Sequence, residues 1–335
     1  MAIVSIITPV LATTERDVEW LQESIESVLA QTYQDWELFI VNDHSKVSLA
    51  PVGGYFKEER IHGAKARGHG VAQARNQAAE LSTSGLLLPL DHDDKLAPNA
   101  LEKLLEGWEA CGNGVIYGDT VLFGEDFSRV YHSPPFDVDL MLKQLLLPVG
   151  GLHSKAAWQE SGGWKSQMSM GLEDWEYWLT LMEKGHCGHH IAEVVYYYRR
   201  HPTSRLSTML ASSNGYKVAY SKMRDIHADL FAGRIKVGCG PCGSGMISGG
   251  KAIQPASTQL TAMQVSQLPA SNRVSVGYYG KRKGTFYMTG RPSGARYMVS
   301  GMGTEVIGPD GRPGVLPQDI QHILRLDAGA SFKKI

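Results

Sequence analysis

Two hydrophobic periods alternate along the first 210 or so residues. Short apolar runs at 2–7, 36–41, 60–66, 85–90 and 115–117 have the length and content of buried strands. Between them, apolar residues return at three- and four-residue steps. Val18, Leu21, Ile25, Val28 and Leu29 do so within 17–31, and Leu101, Leu104, Leu105 and Trp108 within 99–109. Gly68-His69-Gly70 opens another helix that ends near Leu81. Residues 136–146 predict a helix, Leu172, Trp175, Leu179 and Met182 mark a further one, and 191–198 predicts a strand. Strands alternating with helices predict an α/β fold, Rossmann-like, with a mostly parallel sheet covered on both faces.

The pattern changes after this. Residues 213–231 predict one more helix, and 239–272 are rich in Gly, Ser, Ala and Gln, a composition that cannot pack a core. Short β-type runs at 274–279, 285–288, 296–299 and 305–307 then alternate with turn residues, as in a small barrel or sandwich, SH3-like in size. The expected organisation is an α/β domain at 1–211, a helical extension at 212–238, a linker at 239–272 and a small β-rich domain at 273–335.

Charge separates front from back. The net charge of −1 combines 17 Lys+Arg against 28 Asp+Glu in residues 1–211 with 16 against 6 in residues 212–335. A basic back part faces an anionic partner. Lys281-Arg282-Lys283, Arg291 and Arg296 interleave with Tyr278, Tyr279, Tyr287 and Tyr297. That mixture suits a phosphate backbone with stacked bases or sugars. A solvated hairpin tip over an aromatic core explains it somewhat better. No uncharged apolar run is long enough to cross a bilayer, so no transmembrane segment is expected, and the N-terminus lacks a basic leader. Cys111, Cys187, Cys239 and Cys242 are too few for a disulfide scaffold, which makes the cytoplasm the expected location. Cys239-x-x-Cys242 is half a zinc knuckle or a redox pair; without a second pair it reads as part of a loose tether. His186, Cys187, His189 and His190 lack a regular ligand spacing and read as a turn.

The densest chemistry lies at 86–95, where an apolar strand runs straight into Asp91-His92-Asp93-Asp94. Acidic groups at a strand's carboxyl end stand where open α/β sheets bind ligands. Three crowded carboxylates repel unless a hard divalent cation joins them, although Asp is also common at a solvated helix start. Asp43 ends an earlier strand and Asp119 a later one, so acidic groups converge on one rim.

An ordered set of segments resembles the family 2 glycosyltransferases of the GT-A fold. The set is Ser5-Ile6-Ile7-Thr8-Pro9, the run 23–33, the run 37–45, Ala74-Arg75-Asn76, the run 90–94, Gly162-Gly163-Trp164, Gly171-Leu172-Glu173-Asp174-Trp175 and Tyr198-Arg199-Arg200-His201. The resemblance spans roughly residues 1–210. It implies a hexosyl-type, inverting glycosyltransferase with a nucleoside-diphosphate-sugar donor and Mn²⁺ or Mg²⁺. It further implies that Pro9 lines the nucleotide pocket, Asp43 bonds base or ribose, and Arg75 and Arg200 meet the diphosphate. Asp91, Asp93 and Asp94 match the Asp-x-Asp signature. Asp93 and Asp94 are the metal-side pair, with His201 completing the shell. Asp174 is the implied general base, with Glu173 as second choice. Read without the family, Asp43 is an Asx turn, Arg75 ties down the acidic rim and Asp174 complements a helix dipole.

The acceptor implied by the family is a glycan or lipid-linked saccharide. The charge split favours an anionic acceptor instead, a hydroxylated base in DNA held by the C-terminal domain. The competing reading is a binding protein that keeps the nucleotide-sugar fold without catalysis, its basic C-terminal domain holding nucleic acid or another anionic partner. The intact acidic set speaks against that reading. A glycoside hydrolase also uses paired carboxylates, but needs no nucleotide pocket.

Overall fold

The computed structural model describes residues 4–124, 128–212 and 214–239, and beyond them only the backbone of six short strands at 247–248, 251–252, 276–278, 286–289, 296–299 and 332–334. The chain divides into two units, residues 1–254 and 255–335.

The first unit begins with β1 (Val4–Val10), α1 (Glu15–Leu29), β2 (Trp36–Asn42), β3 (Ile61–Lys65), α2 (Val71–Leu81) and β4 (Leu86–Pro89). It continues through β5 (Lys95–Leu96), α3 (Ala100–Cys111), β6 (Val115–Phe123), β7 (Ser128–Tyr131), α4 (Val138–Met141), β8 (Leu152–Ser154) and α5 (Lys155–Ser161). Then come α6 (Glu173–Glu183), β9 (Gly188–Arg199), α7 (Arg205–Ala211), α8 (Gly215–Ile226), α9 (Ala228–Phe231), β10 (Ile247–Ser248) and β11 (Lys251–Ala252). The sheet order is β11-β10-β9-β6-β8-β4-β1-β2-β3, with β5 on β9 and β7 on β6. β1 runs parallel to β2 and β4, and β6 parallel to β9. Only a short antiparallel strand, β8, joins the two parallel groups between β4 and β6.

Alternation along the central strands builds two cores. Val4, Ile6, Leu38, Ile40, Leu86 and Leu88 face one side, where Leu21 and Ile25 of α1 and Leu101 and Leu104 of α3 cover them. Ile7, Phe39, Val41 and Leu87 face the other, beneath Ala74 and Ala78 of α2 and Trp175, Trp178 and Leu179 of α6. Helix starts follow local chemistry. Thr14 and Asp17 form a reciprocal capping box on α1, and α3 stops at Gly112 in the left-handed region (φ 68°).

Three expectations need correction. The helix predicted over 136–146 is only one turn, α4. Leu146 and Leu147 are buried as irregular chain ahead of Pro148, which disfavours helix in the residue before it. The single helix over 213–231 is two, α8 and α9, broken at His227, whose side chain is buried between glutamates. Cys187 and Cys239 form a disulfide, fastening the chain after α9 to the turn between α6 and β9. No helix among the described residues is long and apolar enough to cross a membrane.

In the second unit, β12 (Val276–Tyr278) pairs antiparallel with β15 (Phe332–Lys334), and β13 (Phe286–Thr289) with β14 (Arg296–Val299). Cys242, Tyr279, Lys281-Arg282-Lys283, Arg291 and the run 305–307 lie outside the described residues.

Candidate active site

A cleft of about 810 Å³ opens where β1, β2 and β4 end, and Pro9, Asp43, Arg75, Asp91, Asp93, Glu173, Asp174 and His201 all line it. Residues far apart in sequence thus share one wall, and eight of the ten candidate residues stand there.

The acidic turn after β4 forms the floor. One oxygen from each of Asp91, Asp93 and Asp94 falls within 4.8 Å of the others. Asp93 Oδ2 is 2.9 Å from His201 Nε2. Burial works against ionising Asp93, but the His201 hydrogen bond and nearby imidazole charge hold its pKa below the usual carboxylate value. Asp94 is 1% exposed and lies behind the cleft wall rather than on it. It accepts from the Tyr196 hydroxyl at 3.0 Å and from the Arg199 amide at 2.7 Å. Burial, with the charges of Asp93 and Asp91, pushes its pKa well up. The Tyr196 ring reaches this place because Gly150 has no Cβ; a methyl group there would overlap the ring.

Arg75 links floor to wall. Projecting from α2 and 1% exposed, its guanidinium donates to Asp91 Oδ1 at 2.5 Å and to Glu173 Oε1 at 3.2 Å. Of the two sequence readings, it takes the one that ties down the acidic rim. Its Nε is buried without a hydrogen-bond partner among the described residues. The next residue, Asn76, holds the Gly-Gly-Trp segment: Nδ2 donates to the Trp164 carbonyl at 2.8 Å, and Oδ1 accepts from the Trp164 amide and from Trp158 Nε1 at 3.0 Å each. Two motif segments 88 residues apart are joined at one amide.

Asp43 is buried at the end of β2, and its carboxylate accepts from the Gly70 amide at 2.9–3.0 Å. Gly70 takes φ 98°, a value that suits glycine, and caps α2. Across the cleft, Glu173 and Asp174 open α6 after Leu172, held at φ 61°. Glu173 is also 3.4 Å from Arg205 of α7. Burial first, then the charge of Glu173, raise the Asp174 pKa to about 6, against the pull of Arg75. A carboxyl so tuned is ionised at neutral pH yet more basic than an ordinary aspartate.

Arg200 does not join this group. It is absent from the cleft lining, its guanidinium 5.9 Å from the Tyr198 ring centroid. Its neighbour Arg199 is the engaged one: Nε donates to the Asp93 carbonyl at 2.8 Å and Nη2 to Glu23 at 2.8 Å. The Tyr198-Arg199-x-His201 spacing carried that signal. Tyr196 and Arg205 were also missed, and nothing local in the sequence marks them.

The cluster's chemistry fits a hard cation. All three donors are carboxylates, each keeps lone pairs beyond the contacts above, and an oxygen-only set suits Mg²⁺ or Mn²⁺. Arg75 is already matched by two carboxylates, so the floor retains excess negative charge.

Residues 5–159 match the family model for glycosyl transferase family 2. An uncharacterized protein of Sinorhizobium fredii, y4gI, is 30% identical over 212 residues, which are 60% of this chain and 23% of that protein. The chain therefore spans under a quarter of that relative's length. The putative teichuronic acid biosynthesis glycosyltransferase TuaG of Bacillus subtilis is 28% identical over 224 residues, 65% of this chain and 84% of TuaG. Among solved structures, S. aureus TarS 1-349 in complex with UDP-GlcNAc superposes with a TM-score of 0.55 at 13% identity, covering 67% of this chain and 66% of that one. That likeness shows the shared fold, the GT-A arrangement. The matched segment runs from β1 through most of α5 and so contains Pro9, Asp43, Arg75 and the Asp91–Asp94 turn at the strand ends that shape the cleft. Over residues 5–159 the chain is similar to glycosyl transferase family 2.

Proposed function

We propose that residues 1–211 catalyse inverting transfer of a hexosyl group from a nucleoside-diphosphate sugar to an acceptor hydroxyl. One observation carries the reading: Asp43, Asp91 and Asp93 from strand ends and Asp174 from a helix start line a single cleft around a buried Arg75. The UDP-GlcNAc bound by the S. aureus neighbour makes a uridine diphosphate sugar the first donor to try.

Pro9 and Asp43 would bind the nucleoside. Asp91 and Asp93 would hold Mn²⁺ or Mg²⁺, flanked by His201 and backed by Asp94. A bound cation of this kind supplies charge stabilisation for the departing diphosphate. Asp174 would take the acceptor hydroxyl's proton as that oxygen attacks the anomeric carbon from the face opposite the diphosphate. One displacement inverts the centre, so no covalent sugar–enzyme intermediate is required. Glu173, held by Arg75 and Arg205, positions Arg75 rather than accepting the proton.

The acceptor is proposed to be a glycan. The basic composition of 212–335 keeps hydroxylated DNA as the second acceptor to test. The proposed setting is cytoplasmic, where the Cys187–Cys239 bond would be held reduced. The deciding experiment measures nucleoside diphosphate release from UDP, GDP and dTDP sugars with Mn²⁺, with glycan or hydroxymethylated duplex as acceptor. Release that depends on acceptor and disappears in Asp174→Asn is expected. Release equal in that variant would overturn the reading.

A further inference from the structure

Beside Asp43 stands a second group of possible ligands with a different chemistry. Asp43, His44 and His69 each offer one ligand atom within 4.8 Å of the others. We propose that these three residues form a site for a borderline divalent cation such as Zn²⁺, Co²⁺ or Ni²⁺, separate from the carboxylate cluster after β4.

The local geometry suits such an ion. His44 follows Asp43 directly at the end of β2 and is held at φ 59°, one of two non-glycine residues with positive φ among the described residues. His69 lies between Gly68 and Gly70 in the loop that opens α2. The two imidazoles stack with centroids 4.0 Å apart and planes 21° from parallel. His44 Nε2 donates to the Gly68 carbonyl at 3.1 Å. A carbonyl only accepts, so the proton sits on Nε2 and Nδ1 carries the free lone pair. Metal-bound histidines commonly have their second nitrogen fixed in this way. Asp43 is buried, aimed by the Gly70 amide, and keeps further lone pairs.

Ligand type then separates the two sites. Two imidazoles and one carboxylate select zinc-like ions, whereas three carboxylates select Mg²⁺ or Mn²⁺. Ligands on a tetrahedral ion with bonds of about 2.0 Å stand ~3.3 Å apart. The three ligand atoms lie within 4.8 Å of one another, so they need draw in by at most about 1.5 Å to reach that spacing, and both histidines are exposed. The site shares Asp43 with the proposed nucleoside pocket but its two histidines lie outside that reading, and binding of the ion alone tests it.

The untagged full chain, freed of metal, is titrated with Co²⁺ near neutral pH and followed by visible absorption. One equivalent with d–d bands is expected, displaced by Zn²⁺ but not by Mg²⁺. His69→Ala and His44→Asn should each weaken binding by about tenfold or more; Asn is chosen because it tolerates positive φ. Asp93→Asn should leave the bands in place. Unchanged Co²⁺ affinity in both histidine variants overturns the proposal, as does no Co²⁺ binding by the wild-type chain. Loss in Asp93→Asn with retention in the histidine variants also overturns it, and assigns the ion to the carboxylate cluster. Thermal melts of the metal-free variants confirm that each remains folded.

Discussion

Arg75 on α2 reaches Glu173 on α6 at 3.2 Å, across 98 residues of sequence. Because the same guanidinium also holds Asp91, the helix that starts the wall and the turn that forms the floor are fixed to each other. Removing it leaves Asp91 without its cation and the buried Glu173 with only the 3.4 Å contact to Arg205. Arg75→Met is expected to destabilise the chain by about 3–5 kcal/mol. Arg75→Lys should recover part of this, since a single ammonium cannot fork between two carboxylates. Urea unfolding midpoints measure both.

Asp174 gives the reaction a pH signature. With its pKa raised to about 6, Asp174 as the proposed proton acceptor is available only above that value. kcat/KM should rise as pH increases through about 6 and level off toward neutrality. Asp174→Asn should lose on the order of a thousandfold or more in kcat. Glu173→Gln should lower activity yet keep the rising limb, because it disturbs Arg75 without removing the base.

The acidic turn predicts graded metal effects. Chelation should abolish transfer, with Mn²⁺ restoring it. Asp93→Asn removes a cleft-facing oxygen and should prevent that rescue. Asp94 lies behind, held by Tyr196 and Arg199, so Asp94→Asn should instead raise the Mn²⁺ needed by roughly 10–100-fold. Mn²⁺ dependence of initial rates separates the two.

His227 ties the helical extension to α6. Its Nδ1 is 2.9 Å from Glu183 and its Nε2 3.3 Å from Glu176, a carboxylate with no exposure. Burial alone would depress the imidazolium, but ion pairing with Glu176 and Glu183 outweighs it and raises the pKa to about 9. A group raised in the folded state stabilises fully below its unfolded value of 6.5 and loses that contribution as pH climbs through about 9. The melting temperature should therefore fall between about pH 6.5 and 9. In His227→Gln that dependence should flatten, with stability lower by about 3 kcal/mol at neutral pH.

How much of this was legible varies with range. The alternating strands and helices declared the sheet, and Leu86–Pro89 running into Asp91 declared the floor, because both patterns are local. Arg75 was readable as a tie for the acidic rim, but its second partner was not: Glu173 comes from the opposite side of the cleft. Arg199 was passed over for Arg200 since adjacent arginines at a strand's end look alike until the last strand residue is fixed. Glu176 and His227 carry no local mark at all, and neither does the choice of Cys187 for Cys239. Each such pair is brought together by packing of α6 against the chain that follows. The helix expected over 136–146 failed for the converse reason, as a strongly apolar run is buried whether or not it coils.

Gly150 lies outside the cleft lining, yet its missing side chain is what admits the Tyr196 ring beneath the acidic turn. The hydroxyl of that ring meets both Asp94 and the Asp91 amide. A single added carbon at 150 would therefore act as a lever from the rear, lifting the floor while every surface a substrate touches kept its chemical identity. Change at this concealed position would reach the acidic turn with no mark left among the residues that line the cleft.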